Sequence, residues 1–193
     1  MSGRTRLALA FAGALAVFVL IVGGWWWSQQ RSAPADGAAG AFDGPTLDLA
    51  VILYFPGSGT ALTAETRELA VPEDAEQQLL ALARALLAGP ESPLLSSPLP
   101  PGVEVRSVHL DGDGVAYVDL VTADGEGPPA GGSTEELLRV YSLVNTLALN
   151  VAAVERVVLL WNGEQRPTWS GHLDTSRPLA ADSSLVERRR GSG

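Results

Sequence analysis

The stretch GHLDTSRPL, residues 171–179, brings a histidine, an aspartate, a serine and an arginine into nine positions, the residue types that nucleophilic catalysis assembles. That chemistry needs a base within hydrogen-bond reach of the nucleophile, a group that orients the base, and donors for an oxyanion. His172 and His109 are the chain's two histidines. In an extended segment His172, Asp174 and Ser176 share one side at roughly 7 Å per step, too far for direct hydrogen bonds without a sharp turn. The segment therefore reads as an arm: Asp174 and Ser176 bond local backbone, and Arg177 pairs with a carboxylate that locks the arm onto a sheet. A hydrolase using His172, Asp174 and Asp119 is the competing reading.

Two further stretches resemble sites and fail on spacing. Gly57 and Gly59 follow a strand pattern as in a dinucleotide loop, but the third glycine position holds Leu62, so a turn into a second strand is expected. The run DGDG at 111–114 has calcium-loop chemistry, yet its fifth position is Val115 and its twelfth Thr122, which lack the required oxygen ligands. Cysteine is absent, which excludes disulfides, thiolate metal sites, a cysteine nucleophile and a lipid-modified N-terminal cysteine. No catalytic, cofactor or metal residue is expected.

The elements that must position these residues follow from periodicity. Leu47, Leu49, Val51, Leu53 and Phe55 alternate as one buried strand face closed by Pro56-Gly57, and a second strand covers 66–71. A helix is predicted over 72–88, with acids in its first turn, Leu79, Leu82, Ala83 and Leu86 inward, and Gly89-Pro90 as its stop. Four prolines make 91–102 an extended surface connection. VEVRSVHL and VAYVDLV form a hairpin around DGDG, with a bulge near Arg106 and Ser107 where the apolar phase slips.

After an acidic loop at 122–132, Ser133 with Glu136 reads as a capping box. It opens a helix whose stripe is Leu137, Val140, Tyr141, Val144, Leu147 and Ala148. Asn145, one position past the stripe, is expected to make a buried hydrogen bond to backbone. VERVVLLW is the last strong strand, turned back at Asn162-Gly163. These elements predict an α+β two-layer sandwich, two helices on one face of a mixed or antiparallel sheet.

The 193-residue chain is sufficient for one core of ordinary size. Residues 7–27 form an uninterrupted uncharged apolar run, which as a helix spans roughly 30 Å, the thickness of a bilayer core. Arg4 and Arg6 precede it, which holds the N-terminus in the cytoplasm and sends the rest across as a single-pass protein. A cleaved signal peptide, cut near SAPAD at 32–36, is the alternative; either way the domain is exported. The expected organisation is a cytoplasmic stub and transmembrane anchor at 1–27, a flexible tether at 28–46, a folded domain at 47–181 and a disordered tail at 182–193. From residue 28 onward 11 arginines face 22 carboxylates, so nucleic acid is excluded as a partner on electrostatic grounds.

Five strings in order, LLAGP (86–90), GVAYVDL (114–120), YSLVNTL (141–147), VERVVLLWNG (154–163) and GHLDTSRPL, resemble the GerMN domain of GerM-like sporulation and spore-germination proteins. The resemblance covers roughly 130 residues. Absence of an internal repeat makes this a single-copy relative of a family that often carries two. The resemblance implies a fold related to ring-building motifs and an exported, membrane-tethered module without established catalysis. It also implies Gly89, Pro90, Tyr117, Asp119, Asn145, Gly171, His172, Asp174, Ser176, Arg177 and Pro178 as the family motif.

The resulting functional reading is a non-enzymatic envelope scaffold, whose partners are envelope proteins or further copies of itself, with the membrane engaged through the N-terminal helix. The alternative is a peptidoglycan- or cell-wall-binding module, with Trp161, Trp169 and Tyr117 as an aromatic platform.

Overall fold

A computed structural model describes residues 45–187. Among the described residues no helix is long and apolar enough to cross a membrane; the apolar run at 7–27, the tether up to residue 44 and the end of the tail lie outside them. Strands β1 (Thr46–Pro56) and β2 (Leu62–Pro72) pair antiparallel along their whole length as a two-stranded ribbon, separate from the main sheet. Helix α1 (Ala75–Leu87) follows, then β3 (Val103–Leu110), β4 (Val115–Thr122), α2 (Ser133–Asn150), β5 (Arg156–Trp161), and the short β6 (Glu164–Gln165) and β7 (Leu179–Ala180). The main sheet is mixed: β3 and β4 are antiparallel, β4 and β5 parallel across the α2 crossover, and β6 and β7 both pair antiparallel with β5. The result is an α+β fold of two helices with mixed and antiparallel sheets.

Local chemistry explains most boundaries. Asp74 caps α1 by accepting from Gln77 N at 3.0 Å, and Gly89 ends it in a left-handed conformation (φ 93°). Leu79, Leu82, Ala83 and Leu86 are all buried. The β3–β4 register slips between Val105 and Ser107, and Asp111 closes that hairpin by accepting from Asp113 N and Val115 N at 2.9 and 2.8 Å. Asn162 and Gly163, both at positive φ, make the two-residue turn from β5 to β6.

Three expectations are corrected. Leu47 and Leu49 share the alternating face of Val51, Leu53 and Phe55, but they are 44% and 40% exposed: the ribbon is longer than the core beneath it. The N-cap of α2 is Gly132 without a side-chain cap, and the Glu136 carboxylate is directed elsewhere. Finally, residues 182–187 belong to the fold. A 3-10 turn at Ser183–Leu185 places Val186 against Leu62, and Tyr54, Leu62 and Leu138 form a small second core against Leu185 and Val186.

Candidate functional site

Glu136 lies one, two and three turns from Val140, Leu143 and Leu147, so α2 carries it on the buried stripe. Its side chain is fully buried, and it meets the loop at 170–173. Oε1 accepts from Ser170 N at 2.8 Å and Leu173 N at 3.0 Å, while Oε2 accepts from His172 N at 3.0 Å and stands 2.8 Å from His172 Nδ1. Gly171, at φ 121°, curves this loop so that successive N–H groups converge on one anion. Burial alone raises a carboxyl pKa; here the hydrogen bonds from Ser170, Leu173 and His172 outweigh it and lower Glu136 from 4.5 to about 2.

The arm is therefore not extended. Thr168 bridges Asp174, and Asp174 Oδ1 accepts from both Ser176 N (2.9 Å) and Ser176 Oγ (2.6 Å), a sharp local turn that also lowers the pKa of Asp174. The serine hydroxyl thus meets the aspartate directly, while the imidazole is held by Glu136, so no acid–base–nucleophile relay forms. Arg177 and Pro178 are exposed, and among the described residues Arg177 makes no ion pair: the carboxylate lock on the arm is Glu136, not a partner of Arg177. Asp119 has other partners than His172: Oδ2 takes the Arg106 guanidinium, with Nε at 2.6 Å, and Oδ1 accepts from Gly163 N at 2.9 Å.

The aromatic platform does not form either. Trp161 and Trp169 are each 2% exposed and meet edge to face at 5.2 Å inside the core. Tyr117 lies half-buried against His109, whose Nδ1 contacts Glu76 at 2.7 Å. Gly89 is buried at the helix end, its carbonyl accepting from Arg67 Nη2 at 2.7 Å, with Pro90 half-buried beyond it.

Polar residues on α2 do similar work along its length. Asn145 pairs both backbone groups of Asp182, donating to O at 2.9 Å and accepting from N at 2.8 Å. Thr146 Oγ1 accepts from Tyr54 N at 3.1 Å. Asn150 accepts from Ile52 N at 2.9 Å and donates to Ile52 O at 2.7 Å, so its amide stands in for a neighbouring strand on β1. Elsewhere Glu76 accepts from Leu110 N at 2.8 Å on β3, and Glu187 N donates to Leu62 O at 2.7 Å on β2. Among the described residues, the outward backbone groups of β1 at Thr46, Asp48 and Ala50 have no such cover.

Glu136, Thr146 and Asn150 were missed by sequence reasoning. Helical phase was the available signal for Glu136, because an acid in register with Val140, Leu143 and Leu147 points inward. A cleft of about 570 Å³ beside Pro56, Pro98, Leu99, Pro100 and Leu138 offers little free chemistry. Its guanidinium, Arg139, already holds Glu135 and the carbonyls of Pro129 and Ala130.

The family model described as Germane, sporulation and spore germination, matches residues 52–167. Among solved structures, the tandem GerMN domains of the sporulation protein GerM from Bacillus subtilis are similar at 22% identity and a TM-score of 0.54, over 69% of this chain and 46% of theirs. The first GerMN domain of the same protein is similar at 21% identity and a TM-score of 0.49, over 68% of this chain and 97% of that one. This chain therefore spans less than half the length of the tandem structure. No curated protein matches the sequence.

Proposed function

The chain belongs to the Germane family of sporulation and spore-germination domains, and from that premise we propose that it is a non-enzymatic scaffold of the bacterial cell envelope. In this reading residues 1–27 are a cytoplasmic stub and membrane anchor, 28–46 a tether, and the folded domain works outside the cytoplasmic membrane, assembling with envelope proteins or with further copies of itself.

One observation carries it: the polar side chains that chemistry would need are engaged as internal braces, Glu136 with His172, Asp119 with Arg106, Asp174 with Ser176. A fold that uses its carboxylates this way supplies a rigid unit, and it acts through its surface.

Cross-linking in intact cells followed by purification from membranes tests the reading. The expected result is recovery of an envelope protein or of self-oligomers. A strictly monomeric protein without partners overturns the scaffold, and a domain protected from protease in intact spheroplasts overturns the placement outside the membrane.

A further inference from the structure

The β1–β2 ribbon is a sheet of its own, packed on the core through Val51, Leu53 and Phe55 and reaching past it at residues 46–50. Two-stranded ribbons are marginal in water, and a third strand is the common remedy. The pairing of Leu47 with Val71 and Asp48 with Ala70 sets the two faces. Leu47, Leu49, Leu69 and Val71 lie on the face that continues from the core; Asp48, Ala50, Glu68 and Ala70 lie on the other. Asn150 takes both backbone groups of Ile52, so even-numbered β1 residues direct their N–H and C=O away from β2. Among the described residues, Thr46, Asp48 and Ala50 consequently present a free edge, bounded at Ile52 by the Asn150 amide.

The charge at this end has one sign. Asp48 and Glu68 are diagonal neighbours on one face, and Glu73 and Asp74 follow directly on Pro72. Arg67, the ribbon's one cation, is 10% exposed and turned inward to Glu65 and to Gly89 O.

We infer that this edge accepts a strand from a partner protein, one that alternates apolar and basic residues. The inference rests on the scaffold reading and names its contact. Apolar side chains of the added strand extend the row of Leu47 and Leu49, and the intervening lysines or arginines reach Asp48 and Glu68 on the opposite face, while backbone hydrogen bonds form at residues 46–50. A second copy of this chain is a poor occupant, because pairing β1 with itself brings Asp48 and its acidic neighbours against their equivalents.

Fluorescence anisotropy with the full chain in detergent tests this, using three labelled heptapeptides as probes: alternating valine and lysine, alternating valine and glutamate, and a block-scrambled valine–lysine sequence. The alternating valine–lysine peptide is expected to bind, more weakly as salt rises, and the other two to bind at least tenfold more weakly. D48N/E68Q is expected to weaken it about tenfold. A50P removes an outward N–H and no ribbon hydrogen bond, so it is expected to abolish binding while the protein stays folded; T46P, at the strand's first residue, is the second variant if A50P unfolds. Undiminished binding to a folded proline variant, or equal binding of the glutamate peptide, overturns the inference. Self-association through Asp48 in a cross-linking series also overturns it. If the proline variant still recovers the cellular partners that the unaltered chain recovers, this edge is wrong and the scaffold reading stands; if neither recovers any, the scaffold reading itself fails.

Discussion

Glu136 and His172 are 36 residues apart in sequence and 2.8 Å apart in space, and they join the first turn of α2 to the C-terminal loop through a carboxylate with no exposed surface. The imidazole supplies one of several donors, since the N–H groups of Ser170, His172 and Leu173 converge on the same anion. Replacing Glu136 leaves these N–H groups buried without an acceptor of matching charge. E136Q is expected to lower stability by about 3 kcal/mol, read as the midpoint of urea unfolding followed by tryptophan fluorescence. H172A keeps the three backbone bonds and is expected to cost about 1 kcal/mol. Equal costs for the two variants would show that the imidazole, not the loop backbone, holds the carboxylate.

The same pair sets a pH dependence. Glu136 titrates at about 2 in the fold against an ordinary 4.5, so its folded-state pKa is depressed. The stabilisation is therefore fully present above about pH 4.5 and is lost as pH falls toward 2, as the unfolded chain takes up the proton first. A shift of this size corresponds to on the order of 3 kcal/mol. Glu65 and Asp174, also depressed, act with the same sign. Unfolding free energy measured from pH 6 to pH 2 is expected to fall more steeply for the unaltered protein than for E136Q, and parallel curves would rule the assignment out.

The contrast between Asn145 and Glu136 shows where the sequence was legible. Asn145 sits beside an apolar stripe, and a buried amide must find backbone, so its role followed from local pattern. Glu136 fits a capping box with Ser133 equally well by local pattern, and only the position of a loop 34 residues later decides between the two. The α1 stripe and the bulge near Arg106 are periodic features that neighbouring residues specify, whereas on α2 Leu138 and Leu143 are buried outside the expected stripe and Leu137, Tyr141 and Ala148 are only partly buried. How far the core extends under β1 is not, since alternation gives Leu47 and Phe55 the same face while tertiary packing buries only the second. Trp161 and Trp169 likewise carry no sign in sequence of facing each other rather than solvent.

Asp119 makes a second lock, between the β3 bulge and the β5–β6 turn, and Gly163 is its sensitive point. Its φ of 86° strains any residue with a Cβ, and a Cβ there would lie 2.6 Å from Arg106 Nη2. Arg106 is half-exposed and able to swing aside, but doing so removes it from Asp119, which is 5% exposed. G163A is thus expected to cost about 2 kcal/mol. Adding R106A to G163A is expected to cost less than the sum of the two single changes, because the steric conflict and the ion pair share one guanidinium. Strict additivity in a thermal-melt double-mutant cycle would contradict this coupling.

Asn150 limits how much of β1 is available for pairing, and its removal should change association more than folding. Its amide satisfies both backbone groups of Ile52 while its own donor also reaches Thr146 O at 2.6 Å. In N150A the open edge runs on from Ala50 to Ile52, beside Ile52 and Leu149 side chains that are 38% and 47% exposed. An exposed, lengthened edge with apolar flanks is a template for pairing with other chains. The variant is expected to lose about 1 kcal/mol of stability and to associate at lower concentration in light scattering than the unaltered protein does. N150D separates the two contributions: its carboxylate still accepts from Ile52 N but repels Ile52 O, so it should be destabilised at least as much as N150A, while the added charge suppresses association. Oligomers of N150D equal to those of N150A would mean that the edge is not the surface involved.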